Sequence, residues 1–335
     1  MSGVIARTRT QATSALRDIQ APVREGLEQV VEEMQRVVSD DLPLIREVSG
    51  HLLQMRGKMF RPTLALLASR AADTSEPRVI TLAAVVELMH LATLVHDDSV
   101  DHSVLRRGLP TVNSLFSHQV SVIMGDFLYS RALTALVSMG DLEILRIVTN
   151  IANELTIGEM RQLAAVDALG FGEDDYYELI RAKTASLIAG ACESGALCGA
   201  PQFRQPLAEF GDRLGMAFQI ADDILDYTGD ESVTGKPGGL DLREHKVTLP
   251  LIAALPRVSA AGRRRIDELF ATESPDDDMI RDVIGVVSEA GGIEYARRRG
   301  EQFAHDAEAA LRVLPDSPVR SALTDAIAYV MHRRS

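Results

Sequence analysis

Apolar positions recur at helical spacing along almost the whole chain. Residues 78–96 (RVITLAAVVELMHLATLVH) form the longest apolar run, rich in Ala, Leu and Met and without Gly or Pro. Segments 116–139, 143–168, 176–199, 206–227, 277–291 and 294–313 continue that rhythm, which predicts helices. Breaks fall at Asp73–Pro77, Gly108–Thr111, Gly140-Asp141, Gly170–Asp175, Gly199–Pro201, Gly229–Gly239 and Glu273–Pro275, where turn-forming residues cluster. Strand-like alternation between hairpin turns is absent. An all-α fold follows, with helices long enough to enclose a deep central cavity. The 78–96 helix is apolar nearly all round, as expected at the centre of a large bundle or at a subunit contact. A homodimer is the preferred explanation, and the pattern by itself separates neither case.

Composition narrows the picture. At 335 residues, 46% apolar and 25% charged with 13 prolines, the chain can bury a large core and argues against disorder. Trp is absent and aromatics make up 4%, so small aliphatic side chains would shape any cavity. The net charge of −13 disfavours nucleic acid as a partner and opposes attraction to an anionic membrane. An anionic substrate must therefore meet a local basic patch or bound cations. Cys192 and Cys198, the only cysteines, sit in a small-residue helix, which fits buried thiols in a reduced, cytoplasmic setting. No uncharged stretch reaches the roughly 20 residues of a membrane span, so no transmembrane segment is expected. Residues 1–17 carry Arg7, Arg9 and Arg17 and no acid. A targeting peptide or a frayed start to the first helix, over about residues 1–20, would each fit, and the frayed start is preferred.

The chemistry centres on a repeated acidic pattern. Asp97-Asp98-Ser99-Val100-Asp101 and Asp222-Asp223-Ile224-Leu225-Asp226 each end an apolar helical run. The i,i+4 spacing puts the outer carboxylates of each on one face. Facing clusters of this kind repel unless cations neutralise them, and their hard oxygens suit Mg²⁺, which commonly bridges carboxylates to substrate phosphates. His96 and His102 flank the first cluster and suit structural roles better than ligation. Basic residues are grouped as well. Gly57-Lys58-Met59-Phe60-Arg61-Pro62 opens a helix, Arg106 and Arg107 follow the first cluster, Lys183 precedes Thr184, and Lys236 and Lys246 lie in or after a glycine-rich stretch. Together they suggest two anion subsites, one bridged by metal and one bound by direct ion pairs. The loop Thr228–Gly239 would be able to close over bound diphosphate and exclude water, with a plain solvent loop as the alternative.

These ordered motifs, with His90, Gly125-Asp126-Phe127-Leu128, Phe218-Gln219 and Asp241 between and beside them, resemble the head-to-tail trans-polyprenyl diphosphate synthases of the isoprenoid synthase superfamily. The likeness covers nearly the whole chain, the first and last 50 residues adding little. It implies one domain over residues 1–335 with the isoprenoid synthase fold, a large antiparallel helix bundle. The substrates implied are isopentenyl diphosphate and an allylic diphosphate. By the same resemblance, Asp97, Asp98, Asp101, Asp222 and Asp226 hold three Mg²⁺ ions on the allylic diphosphate, with Asp223 beside them. Arg106, Lys183, Lys236 and Lys246 contact that diphosphate. Gly57, Lys58, Arg61, His90 and Arg107 seat isopentenyl diphosphate, and Thr184 and Gln219 line the region where the carbocation develops. Ionisation of the allylic C–O bond, attack by the isopentenyl double bond and loss of a proton to the departing diphosphate need no side-chain base.

The growing tail is expected to run down helix 78–96. Ala92 lies about 7 Å behind Asp97 at about 1.5 Å per residue, and neither it nor Thr93 is bulky. Met89, a turn further on, would form a soft floor, and Ile123, Met124 or Phe127 would face the tunnel. Small residues here resemble family members that make products longer than farnesyl diphosphate. The small residue at Ala92 and the uninterrupted DDSVD of residues 97–101 resemble members with a product of roughly six to ten isoprene units, and that product would be handed to a membrane. Farnesyl or geranylgeranyl diphosphate synthesis remains an alternative. So does a role as a catalytic or silent subunit of a heteromer. A class I terpene cyclase is the other rival, but it would not need Lys58, Arg61 and Arg107 for a second diphosphate.

Overall fold

A computed structural model of the chain describes residues 15–55, 57–72, 76–164, 168–229 and 238–332. Lys236, and Arg7 and Arg9 at the start, lie outside these residues. Helices α1 (Arg24–Val37), α2 (Pro43–Gln54) and α3 (Phe60–Ser69) lead to the long α4 (Arg78–Val100). A two-residue antiparallel ladder, β1 (Leu105–Arg106) with β2 (Leu109–Pro110), follows. Next come α5 (His118–Ser138), α6 (Leu142–Ala164), α7 (Glu173–Ile180), a π-helical turn at Arg181–Ala185, and α8 (Ser186–Gly199). Then α9 (Arg204–Thr228) precedes α10 (Leu249–Ala254), α11 (Ala260–Ala271), α12 (Asp277–Glu289), α13 (Gly292–Ala310) and α14 (Pro318–Met331).

Local chemistry sets several of these starts. The hydroxyls of Ser117, Ser259 and Ser317 and the carboxylate of Asp276 accept from the backbone N–H groups of Val120, Gly262, Arg320 and Met279, capping α5, α11, α14 and α12. Each such cap satisfies an amide that the first helical turn leaves without a partner. Pro318 follows the Ser317 cap, where its fixed φ suits the helix.

The helix α4 is central. It packs on α1, α3, α5 and α8, and Leu82 to Met89 are buried without interruption, which is why its apolar residues show no sidedness. The α8–α9 and α9–α13 contacts extend the core away from it. Close approach of α9 to the π turn depends on Gly215, where an added Cβ would lie 2.5 Å from Ala185 Cα. A smaller cluster of Tyr227, Leu242, Leu251, Ile266, Leu269 and Ile280 supports the chain just beyond α9.

One expectation needs correction. Residues 15–20 are already helical, with Leu16 and Ile19 buried, so no fraying extends over them, and residues 1–14 lie outside the described residues. Two helices, α4 and α5, are long and apolar enough to cross a membrane by length and composition, a test that a core helix also passes. In α4, 67% of the apolar window is buried inside the fold, as a central core helix requires, whereas in α5 the share is 39%.

Candidate active site

The two acidic motifs are built alike. Each lies near the C-terminal end of a long helix, α4 or α9. Asp101 and Asp222 are exposed and Asp97 is half-buried, whereas Asp98 and Asp223 are each 4% exposed. Asp98 is turned away from solvent, and Arg106 Nε, delivered by β1, donates to its two oxygens at 2.8 and 2.9 Å. Asp223 accepts from Tyr176 Oη at 2.6 Å and from Gln219 Nε2 at 2.8 Å. Asp98, expected as a metal ligand with Asp97 and Asp101, is paired with Arg106 in this arrangement. The carboxylate of Asp226 accepts from the backbone N–H groups of Leu240 and Asp241, both at 3.0 Å, and so fixes the short helical turn Leu240–Arg243.

Burial, helped by neighbouring carboxylates, lifts the acids of the site. Burial, then the charge of Glu159, pushes Asp97 up to about 6. Burial, then Asp226, pushes Asp241 up to about 7. Asp223 is driven well above the usual carboxylate range by burial and by Asp241, against the donors Tyr176 and Gln219. Burial works against the Lys246 charge, but its hydrogen bond to Glu244 and the fields of Asp101 and Asp241 outweigh this. Lys246 thus feels the charge of Asp101 from the first cluster and of Asp241 beside the second. Lys183, in the π turn, reaches Glu159 Oε1 and Gln162 Oε1, both at 2.7 Å, and its charge acts on Asp97.

A separate cationic group lies toward α2 and α3. Arg107, at φ 53°, donates through Nη1 to the Met55 carbonyl at 2.7 Å. Its guanidinium lies flat against Gly57, where an added Cβ would come within 2.7 Å of it. Only glycine leaves that room. His90 is held neutral, well below its ordinary pKa, by burial and by the charges of Arg61, Arg107 and Arg106. Glu87, one turn before it on α4, is buried, and its pKa is raised by that burial while Arg61 and Arg107 pull it down. Lys58 Nζ lies 5.9 Å from the Tyr329 ring centroid, and Gln20 Nε2 donates to the Lys58 carbonyl at 2.9 Å. Both ends of the chain thus buttress this group, although their sequence shows little of it.

Beneath the first cluster, Met89, Ala92 and Met124 are buried, and Thr93 and Phe127 are half-buried. Ile123 does not join them. It is 66% exposed, because α5 carries it on the outward stripe with Asp126, Ser130 and Val137. His96 bonds toward the Val122 carbonyl at 3.2 Å and the Asp126 carboxylate at 3.3 Å, and His102 packs against His118. Structure also adds residues that sequence reasoning left without a role: Glu87, Glu159, Gln162, Tyr176 and Asp241. A lone acid in the apolar 78–96 run was a visible signal for Glu87. The pairing of Glu159 and Gln162 with Lys183 joins distant segments and has no local signature.

Among the described residues, no three His, Cys, Asp or Glu side chains converge tightly enough to form a metal cage. Carboxylates reaching the cleft from two sides still fit Mg²⁺, which usually keeps several waters and uses substrate phosphates as ligands.

Known proteins resemble the chain over nearly its whole length. Residues 42–287 match the family model described as Polyprenyl synthetase. The chain is 38% identical over 318 residues to the all-trans-nonaprenyl-diphosphate synthase (geranyl-diphosphate specific) of Rhodobacter capsulatus, covering 94% of this chain and 97% of that one. A decaprenyl diphosphate synthase structure from Rhodobacter capsulatus superposes with a TM-score of 0.90 at 35% identity, over 96% of this chain and 99% of that one. The polyprenyl synthase of Caulobacter crescentus CB15, solved with calcium and isoprenyl diphosphate, also gives 0.90, at 31% identity over 96% and 98%.

Proposed function

The chain belongs to the polyprenyl synthetase family and is a prenyltransferase, and from that premise we propose how its site condenses isopentenyl diphosphate head-to-tail onto an allylic diphosphate. The observation that carries the reading is the division of the cleft into two anion subsites of different chemistry. One has carboxylates on two sides with Lys183 and Lys246 among them. The other holds a neutral imidazole in the field of Arg61, Arg106 and Arg107.

At the first subsite Asp97, Asp101, Asp222 and Asp226 would hold Mg²⁺, Asp226 by giving up its present caps. When bound, Mg²⁺ supplies charge stabilisation to the diphosphate leaving group. Lys183 and Lys246 bind the same diphosphate directly, Lys183 exchanging Glu159 and Gln162 for it, and Lys236 joins them. Arg106 keeps Asp98 turned inward and offers its remaining N–H groups to the allylic diphosphate. At the second subsite Arg61, Arg107 and Lys58 bind isopentenyl diphosphate, and His90, kept neutral, donates a hydrogen bond without adding charge. Thr184 and Gln219 border the reacting carbon. The departing diphosphate takes the proton, consistent with a cleft whose side-chain carboxylates are already committed.

The tail runs along α4 from the first cluster toward Arg78, about 29 Å of helix, and the product proposed is roughly six to ten isoprene units long. Self-association is assigned to the outer face of α5. There Ile123 and Val137 are 66% and 60% exposed along a groove of about 540 Å³ lined by Tyr129, Leu133 and Val137. A second copy would cover this face in the cytoplasm, and activity of the purified chain alone would separate a homodimer from a heteromer.

Binding tests the division of the cleft. Isopentenyl diphosphate should bind in calorimetry with or without Mg²⁺, whereas a non-ionising allylic thiolodiphosphate should require Mg²⁺. Equal metal dependence of the two would contradict the assignment.

A further inference from the structure

A chain of three hydrogen bonds runs from α7 through α9 to the π turn. Tyr176 Oη donates to Asp223 Oδ2 at 2.6 Å, Gln219 Nε2 donates to Asp223 Oδ1 at 2.8 Å, and Thr184 Oγ1 donates to Gln219 Oε1 at 2.8 Å. Tyr176 is 1% exposed, and Asp223 and Thr184 are also buried. The polarity of the chain follows from its middle. Each oxygen of the Asp223 carboxyl accepts from one donor, Oδ2 from Tyr176 and Oδ1 from Gln219. With its NH₂ committed to Asp223, the Gln219 amide can present only its carbonyl oxygen to Thr184. The single Thr184 proton is thereby drawn inward, and the hydroxyl can show only lone pairs to the cleft. Every proton in the chain points toward Asp223.

We propose that Tyr176 is a positioning residue for prenyl transfer, which acts through Asp223 and Gln219 to keep the Thr184 oxygen lone pairs turned toward the allylic carbon. The proposal rests on the reading that Thr184 and Gln219 border that carbon. Fixed oxygen dipoles stabilise a developing cation because they need not reorient as charge appears, whereas an O–H directed at it would repel it. Tyr176 itself touches no reacting atom. Its hydroxyl gives Asp223 a second donor and leaves the Gln219 amide one orientation. Without it, a buried carboxylate lacks a partner and can rotate, and the register at Thr184 is lost.

The test is a double-mutant cycle. Tyr176→Phe keeps the ring and its packing on Tyr177, 5.6 Å between centroids. It should lower kcat by about 10–100-fold, as loss of a preorganised contact does, with KM for both diphosphates within about twofold. In a Gln219→Leu background the same change should have no further effect on kcat, because the link is already cut. Losses that multiply independently would mean that Tyr176 merely supports the fold, and would overturn the proposal. Wild-type kcat in both Gln219→Leu and Thr184→Val would instead overturn the underlying reading of the site. If circular dichroism shows Tyr176→Phe unfolded, Asp223→Asn replaces it. Its amide cannot accept from two donors on both sides, so kcat must fall with KM unchanged, and wild-type kcat there would contradict the proposal.

Discussion

In both motifs the second aspartate turns inward, Asp98 to Arg106 and Asp223 to Tyr176 and Gln219, while Asp97, Asp101 and Asp222 remain for the cleft. Asp97→Ala or Asp222→Ala should lower turnover by orders of magnitude with helical content intact, and near-normal turnover would sink the assignment. Gly57→Ala forces the Arg107 guanidinium from its place. It should raise KM for isopentenyl diphosphate about tenfold, the size of one lost charged hydrogen bond, and leave KM for the allylic substrate unchanged. The pH dependence has a definite sign. Asp97, lifted from 3.8 to about 6, binds its proton more tightly in the folded chain than in the unfolded one. That contribution therefore disfavours the folded state increasingly as pH rises from about 4 to 6 and fully above it. Melting of Asp97→Asn against the parent in the absence of ligands should show an advantage for the variant that grows from pH 4 to pH 7. A constant difference would contradict the stated burial. The DDxxD pairs and grouped cations were legible because their spacing is local. The inward turn of Asp98 was not, because it depends on which way α4 meets the β1–β2 ladder, and Tyr176 finds its partner 47 residues away.

Helix boundaries were the most legible part of the fold. The 78–96 run became Arg78–Val100 and the 206–227 run became Arg204–Thr228, since apolar period and Gly/Pro breaks are direct consequences of helix geometry. The 176–199 segment hid its main feature. It is α7, a π turn and α8 in succession, and the π turn carries Lys183 and Thr184 into the site. One widened turn scarcely disturbs an apolar pattern, and it is set by the close passage of Gly215 against Ala185, so sequence spacing does not reveal it. The two-residue strands at Leu105–Pro110 were likewise too short to alternate visibly. The prediction that belongs to α4 is steric. Ala92→Phe, beneath the first cluster, should shorten the product and cost about 1–3 kcal/mol as overpacking, read by product mass and by melting. An unchanged product length in a folded variant would mean that the tail travels elsewhere.

For the whole molecule, a net charge of −13 surrounds a cleft that binds anions, so affinity must come from the local cations and from Mg²⁺. Raising ionic strength should weaken binding only modestly, since partly buried pairs are screened less than exposed ones. The subunit contact proposed for the outer face of α5 makes the chain a dimer. Val137→Asp, or Ile123→Asp, should halve the molecular mass measured by light scattering without loss of helical signal, and an unchanged mass would place the subunit contact elsewhere. The sequence showed an excess of apolar helix but not its direction, because exposure along α5 is decided by packing against α4. The central claim, that this cleft extends an allylic diphosphate into a long chain, is tested most directly by incubating the purified protein with Mg²⁺, labelled isopentenyl diphosphate and, separately, geranyl, farnesyl or geranylgeranyl diphosphate, and measuring product mass. A ladder ending at a defined prenyl diphosphate longer than geranylgeranyl diphosphate is the predicted result. Conversion of a primer alone into a diphosphate-free hydrocarbon, or no extension of any primer, would contradict it.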